Sequence, residues 1–105
     1  MEPTPIPVPD GLRGLPPEAI DALREMRLVL EGLSGLDERS IELTRLGALV
    51  ALGAPAESIG AHVTRAVAGG VSAEDVWGSV LAVAPLVGVP RLIAAVPAIR
   101  EALEG

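Results

Sequence analysis

His62 is the only histidine of the 105-residue chain, and polar residues lie near it at helical spacing. Ser58 precedes it by four residues and Arg65 follows it by three, so in a helix the three side chains share one face. Imidazole titrates near neutral pH, which suits general acid–base catalysis. The spacing therefore predicts a polar edge around His62 that could transfer protons.

A second polar pair, Glu42 and Arg45, comes just before a charge-free segment. Glu42 could orient His62 or share its proton. Arg45 or Arg65 could hold an anionic substrate through a bidentate contact. Spacing alone leaves a structural alternative open, in which Glu42 and Arg45 form an ordinary surface pair. In that alternative His62 lies at a polar rim and Ser58 occupies a first helical turn.

Other kinds of site are not indicated by the sequence. The chain has no cysteine, which excludes disulfides, thiolate metal sites and cysteine nucleophiles. No G-x-S-x-G motif suggests a serine hydrolase, and the glycines form no phosphate-binding loop. A lone histidine with scattered carboxylates has no metal-ligand spacing, so we expect no metal.

Charge and hydropathy limit the partners of the chain. The net charge is −6, and the eight basic residues, all arginine, do not cluster into a face for nucleic acid. The first residues, MEPTPIPVPDG, do not resemble a signal peptide. The longest charge-free run, residues 76–90, is too short to span a membrane. We expect a cytoplasmic protein that binds neither nucleic acid nor membrane.

Half of the residues are hydrophobic, although Trp77 is the only aromatic one. A chain of this length is expected to hide less apolar surface than that. Since large exposed apolar patches usually mark interfaces, the composition predicts a homo-oligomer.

Apolar residues recur at helical spacing, and no segment shows sustained strand alternation. The sequence therefore predicts an all-α fold of four or five helices. In the third helix Ile59, Val63, Ala66 and Val67 form the predicted core stripe. In the last helix, Pro97 is expected to cause a kink or a restart. The predicted helices run from about Pro16 to Gly35, Asp37 to Gly53, Pro55 to Gly69, Ser72 to Leu86 and Arg91 to Leu103.

The chain divides into a proline-rich arm, residues 1–15, and a single helical domain, residues 16–105. Alternating prolines favour an extended arm, which either packs on a neighbouring subunit or forms a disordered tail. From Leu46 onward the second helix has no charge, which predicts burial on all sides and again a partner subunit. We detect no internal repeat in the sequence, but the second and third predicted helices form one antiparallel hairpin, and the fourth and fifth form another.

Four stretches, in this order, resemble the carboxymuconolactone decarboxylase family, which includes the AhpD-like alkylhydroperoxidases. They are LDERSIELTRLGALVALGA, SIGAHVTRAVAGGVSAEDV, LAVAPLVGVP and AIREALEG. In the family's redox branch a Cys-x-x-Cys pair precedes a histidine, and a glutamate lies on the preceding helix. His62 and Glu42 match that histidine and glutamate, while Pro55 and Ser58 occupy the cysteine positions. Because the chain resembles this family but has no cysteine thiol, we expect no thiol peroxidase activity.

The decarboxylase branch also lacks the cysteine pair, and it is the closer match. It acts on a lactone acid of aromatic breakdown without metal or organic cofactor, and its largely helical subunits form trimers or hexamers. The present chain departs from it at Ala82 and Leu86, where a histidine and a tyrosine are expected.

The resemblance implies catalytic roles for His62 and Glu42 and no cofactor. Arg45, Ser58, Arg65 and Trp77 are the candidate substrate-binding residues. Two functions stay open at this point. One is a cofactor-free lyase or isomerase acting on a small organic acid. The other is a non-catalytic homo-oligomer that binds a small ligand or serves in assembly.

Overall fold

The computed structural model describes residues 8–105, and within that range its regular elements are all helical. The predicted all-α fold is confirmed. The chain forms two compact units, of which the first ends at Gly35 and the second runs from Leu36 to Gly105. After a 3-10 helix, Asp10–Leu12, the helices are α1 Pro17–Ser34, α2 Glu38–Leu52, α3 Ala56–Ala68, α4 Ala73–Val87 and α5 Val89–Glu104.

Local side-chain chemistry fixes where the helices begin and end. The Asp37 carboxylate accepts the Ser40 N–H at 2.7 Å and caps α2, and this hydrogen bond lowers the pKa of Asp37. The Ser72 hydroxyl caps α4 by accepting the Asp75 N–H at 3.0 Å. At the other end of α2, Gly53 adopts a φ of 68°, a left-handed conformation that favours glycine. These ends agree with the predicted ones.

Two expectations about individual positions are wrong in whole or in part. Helix α5 continues through Pro97, so the predicted restart is wrong, whereas the alternative of a kink stays a prediction. Ala98 and Ile99 beside Pro97 are buried in the core. Val67 is exposed, so the core side of α3 consists of Ile59, Val63 and Ala66. In the single chain Ala48, Ala51 and Leu52 of α2 face solvent, so the predicted burial of α2 on all sides requires a partner subunit and stays a prediction.

In the second unit, α2 and α4 lie side by side and run in the same direction. Arg39 forms an ion pair with Asp75, and the Ser79 hydroxyl donates a hydrogen bond to the Leu43 carbonyl at 2.7 Å. Both contacts join residues 36 positions apart. The constant offset establishes the parallel orientation.

Gly47 allows the two parallel helices to approach closely. A Cβ atom at this position would lie 3.0 Å from Val83 Cγ1 and 3.4 Å from Ser79 Oγ. Glycine at position 47 therefore sets the spacing between α2 and α4.

Each of the parallel helices is followed by the same G-x-P sequence, although ψ is 38° at Gly53 and 163° at Gly88. Gly53-Ala54-Pro55 follows α2 and Gly88-Val89-Pro90 follows α4, and both glycines have positive φ. Helices α3 and α5 return from these turns and pack against one another. The second unit thus consists of two similar helical hairpins, as the sequence predicted.

The core of the second unit lies between the two hairpins. Burial of each large apolar side chain there contributes roughly 1.5–3 kcal/mol. The largest fully buried side chains are those of Leu46, Val50, Ile59, Val63, Val76 and Ile99.

The first unit contains α1, which has no buried residue. Residues 1–7 of the predicted proline-rich arm lie outside the described residues, and the predicted domain boundary at residue 16 stays a prediction. No helix in the described range 8–105 is both long and apolar enough to cross a membrane.

Candidate functional site

Helix α3 places the predicted polar edge beside its buried stripe. Ser58, His62 and Arg65 are each half-buried, while Ile59 and Val63, their chain neighbours, are fully buried. This arrangement follows from the helical period, because positions four and seven after Ser58 return to the same face. The polar groups therefore lie at the boundary between core and solvent.

Glu42 is the only charged residue classed as buried among residues 8–105, with 6% of its surface exposed. Helix α2 places it one turn before Leu46, which belongs to the core. A buried carboxylate is costly unless other polar groups compensate for its lost hydration. The alternative of an ordinary surface pair is therefore wrong for Glu42. Arg45, its predicted companion, is half-buried.

The antiparallel register of α2 and α3 indicates which residues lie at the same level. A Cβ atom on Gly69 would lie 3.3 Å from Glu38 Oε1, which places the start of α2 beside the end of α3. Each turn forward along α2 corresponds to one turn backward along α3. Glu42 is therefore level with Arg65.

One turn nearer the connecting loop, the same register places Arg45 level with His62. Glu42 and His62, which were predicted to pair, therefore lie about one helical turn apart along the hairpin and not directly opposite each other. Both arginines that were predicted to bind an anion lie along this hairpin. Among the predicted site residues, this hairpin carries one carboxylate, one imidazole and two guanidinium groups.

All four of these side chains interact with other groups in the structure. Glu42, Arg45, His62 and Arg65 each take part in at least one hydrogen bond, ion pair, ring contact or other electrostatic interaction. At the level of single atoms, Glu42 Oε2 and Arg65 Nε and Nη1 are buried and make no hydrogen bond to residues 8–105. These atoms of Glu42 and Arg65 are therefore shielded from bulk water.

The remaining predicted site positions lie on α4, away from α3. Trp77 is half-buried and packs against the hydrophobic core. Ala82 lines an open groove between α2 and α4, and Leu86 is 89% exposed. The assignment of Trp77 to substrate binding stays a prediction.

Sequence reasoning missed two open grooves of the second unit. The one between α2 and α4 encloses about 490 Å³ and is lined mainly by small and apolar residues, whereas one between α3 and α5 encloses about 400 Å³. Neither is lined by His62 or Glu42. Their only signal in the sequence is the small residues, such as Gly47 and Gly60, that face the gaps between helices.

A surface ion pair closes one end of the groove between α2 and α4. Arg39 Nη2 lies 2.9 Å from Asp75 Oδ1, and Arg39 Nε donates to Asp75 Oδ2 at 3.1 Å. The hydrogen bonds from Arg39 lower the pKa of Asp75, and those to Asp75 raise the pKa of Arg39. Two parallel bonds of this kind fix the relative position of the helix ends.

Comparison with known proteins adds one positive finding. Residues 17–101 match the family model described as the carboxymuconolactone decarboxylase family. Neither the comparison with curated proteins nor that with solved structures gives a significant match. The matched residues include α2 and α3 and therefore the four polar site residues of the hairpin, which are Glu42, Arg45, His62 and Arg65.

Proposed function

Because the chain belongs to the carboxymuconolactone decarboxylase family, we propose that it is a cofactor-free lyase or isomerase acting on a small organic acid. His62 is its proton-transfer group in this proposal, and Glu42 supports His62. Lacking cysteine throughout, the chain has no thiol peroxidase activity. The active protein is a cytoplasmic homo-oligomer, a trimer or a hexamer.

The burial of Glu42 is the observation that carries this proposal. A core position next to Leu46 would be more stable with an apolar side chain, since a carboxylate loses its hydration there. Buried titratable groups with charged neighbours are common at functional sites. Glu42 lies in the same hairpin as the only histidine of the chain, which supports a joint role of the two residues.

The proposed reaction needs only a proton donor from the protein. The bond between the carboxylate carbon and its neighbour breaks, and its electron pair passes into a carbonyl group conjugated with that neighbour. Carbon dioxide leaves, and the resulting enolate takes a proton on carbon from the imidazolium of His62. His62 then regains a proton from solvent, so the atoms and charges balance without an oxidant or a reductant.

The two arginines of the hairpin have a binding role in this reaction. Arg45, level with His62, is placed to bind an anionic oxygen of the substrate close to the proton donor. Arg65, level with Glu42, is placed to balance the buried carboxylate or to bind a second anionic group. A guanidinium group suits both tasks because it presents a rigid fork of N–H donors.

A decarboxylation assay with carboxymuconolactone tests the proposal. We expect turnover by the wild-type protein and a loss of about 10²–10⁴-fold in kcat for His62→Ala, the usual contribution of a general acid. Thr64→Ala is the matched control, since Thr64 is an exposed residue of the same helix. Circular dichroism verifies that each variant keeps its helices. Undiminished turnover in His62→Ala would refute the role of His62.

A specific observation favours the second candidate, a non-catalytic oligomer that binds a small ligand or serves in assembly. The family's polar groups are replaced at Ala82 and Leu86, and both positions lie on the outer side of α4. Native mass spectrometry of the wild-type protein and His62→Ala distinguishes the two candidates. A ligand retained equally by both proteins, together with no turnover of the lactone by either, would favour the non-catalytic function.

A further inference from the structure

The charges of the four polar site residues of the α2–α3 hairpin do not cancel. Glu42 carries a negative charge, whereas Arg45 and Arg65 each carry a positive one. With a neutral imidazole at His62, the four residues have a net charge of +1. A site of this composition offsets the charge of a single substrate carboxylate. A second buried carboxylate would add a negative charge without a matching cation, which is strongly unfavourable.

Most of the Arg65 guanidinium is directed inside the protein. Its Nε and Nη1 atoms are buried, as is Oε2 of Glu42 at the same level of the hairpin. A carboxylate that binds arginine in the fork geometry uses two of the three nitrogen atoms. Every such pair in Arg65 includes a buried nitrogen, so a dissolved anion cannot bind Arg65 in this way. Arg65 therefore balances the charge of Glu42 and not that of a substrate.

Arg45 is the guanidinium group beside the proposed proton donor. It is half-buried and level with His62, whereas Glu42 and Arg65 lie about one helical turn further from the connecting loop. In the proposed decarboxylation, the negative charge of the substrate carboxylate passes to an enolate oxygen when carbon dioxide leaves. The total charge of the bound molecule stays the same, so one cation at this level serves both states.

The remaining charged side chains of α2 and α3 offer no second cation at this level. Glu38 and Glu57 are negative and exposed. Arg39 forms its two bonds across to α4, on another side of α2. In α5, the Arg91 guanidinium lies over Gly53, about 12 Å along α2 from the level of the imidazole. That distance exceeds the separation of the two carboxylates in a small dicarboxylic acid.

Towards the connecting loop, the hairpin becomes uncharged. The level after Arg45 and His62 is formed by Leu49 and Ser58, which are both half-buried. Leu49 also packs against the hydrophobic core. A substrate carboxylate held at Arg45 therefore has an apolar side chain as its neighbour on this side, where an uncharged part of the substrate fits and a second carboxylate does not.

We propose that the site selects small acids with a single carboxylate and an uncharged body, and that Leu49 is the residue that disfavours a second carboxylate. The carboxylate binds Arg45 beside the imidazole, and the body of the acid lies towards Leu49. The inference rests on the proposed function, since it takes this hairpin as the acid-binding site, and it specifies the substrate class. Carboxymuconolactone, which has two carboxylates, is then a substrate with a high KM.

Proton NMR of the His62 imidazole tests the charge preference. His62 is the only histidine, so its resonances report on this site directly. Hexanoate and adipate are the probes, because they have the same chain length and differ by one carboxylate. At constant pH and ionic strength, hexanoate should bind about tenfold more tightly than adipate, and Arg45→Gln should weaken hexanoate binding by about tenfold or more. Equal or tighter binding of adipate, or no shift with either acid, would overturn the proposal.

Leu49→Arg tests the specificity residue itself. Its guanidinium would add a cation one level from Arg45, so this variant should bind adipate at least as tightly as hexanoate. Ala48→Arg adds the same charge on the exposed side of α2 and is the matched control, which should keep the preference for hexanoate. Circular dichroism verifies that both variants keep their helices. An unchanged preference in Leu49→Arg, or an equal reversal in Ala48→Arg, would refute the role of Leu49.

Turnover of carboxymuconolactone separates this inference from the proposed function. A preference for hexanoate without any turnover would support the substrate charge class and refute the catalytic proposal. Turnover combined with tighter binding of adipate would do the opposite. In an active protein, Leu49→Arg should lower KM for the lactone and leave kcat nearly unchanged, because Leu49 does not transfer the proton.

Discussion

Replacing Glu42 by glutamine should lower the free energy of unfolding by about 2 kcal/mol. Breaking a fully buried ion pair costs about 3–5 kcal/mol, whereas an exposed pair contributes about 0–1 kcal/mol. Glu42 is 6% exposed, and Arg65, at the same level of the hairpin, is only half-buried, so an intermediate value applies. In a domain of this size the loss corresponds to a decrease of about 8–16 °C in Tm.

The assay is thermal unfolding followed by circular dichroism, at one protein concentration because self-association also stabilises the folded chain. Glu101→Gln, which removes an exposed carboxylate of α5, is the control and should change stability by less than about 0.5 kcal/mol. A double-mutant cycle then isolates the pair. Glu42→Gln and Arg65→Met should each cost about 2 kcal/mol, and the double variant should cost little more than either alone.

Additive effects in this cycle, within about 0.5 kcal/mol, would refute the reasoning. They would mean that Glu42 and Arg65 do not compensate each other and that the register deduced from Glu38 and Gly69 does not extend along the hairpin. A Glu42→Gln variant as stable as Glu101→Gln would refute the estimate itself. The charge of Glu42 would then contribute no more to the free energy of unfolding than that of an exposed carboxylate.

Three further predictions concern the surface and the backbone. Hydrogen bonds from Arg39 hold the pKa of Asp75 below its ordinary value. The ionised carboxylate of Asp75 therefore stabilises the fold at neutral pH, and this contribution is lost as the pH falls through the folded-state pKa. Between about pH 5 and pH 2 the wild-type protein should therefore lose its Tm advantage over Asp75→Asn, and parallel Tm curves would contradict this. Gly88 has a φ of 87° and a ψ of 163°, a region almost restricted to glycine, so Gly88→Ala should destabilise by about 1–3 kcal/mol. Gly60→Ala, in a helix and with nothing within 4 Å of the added Cβ, should stabilise by up to about 1 kcal/mol, as chemical denaturation would show.

The helices and their ends could be predicted because the signals are local. Asp37 and Ser72 cap helices through hydrogen bonds to residues three positions away, so the sequence alone contains both partners. Pro97 could not be judged in the same way. Its local effect is to break a helix, but the buried neighbours Ala98 and Ile99 hold α5 together through contacts with distant residues.

The site was predictable in its composition and not in its burial. The period of α3 placed Ser58, His62 and Arg65 on one edge, which the structure reproduces. A helical wheel of α2 could not reveal that Glu42 is covered, because that depends on the packing of α3. The two hairpins were predictable from local signals, which include the two G-x-P sequences at Gly53 and Gly88.

The two parallel hairpins of the second unit have a consequence for the order of its segments. Helices α2 and α4 begin at the same end of this unit, and α3 and α5 finish there. The connection at Gly69 and Gly70 and both ends of the unit therefore lie on one side. The packing of the four helices does not depend on which hairpin comes first, so a circular permutant opened at Gly70 would preserve the same core. The second unit is in this sense an association of two fragments that happen to share one polypeptide.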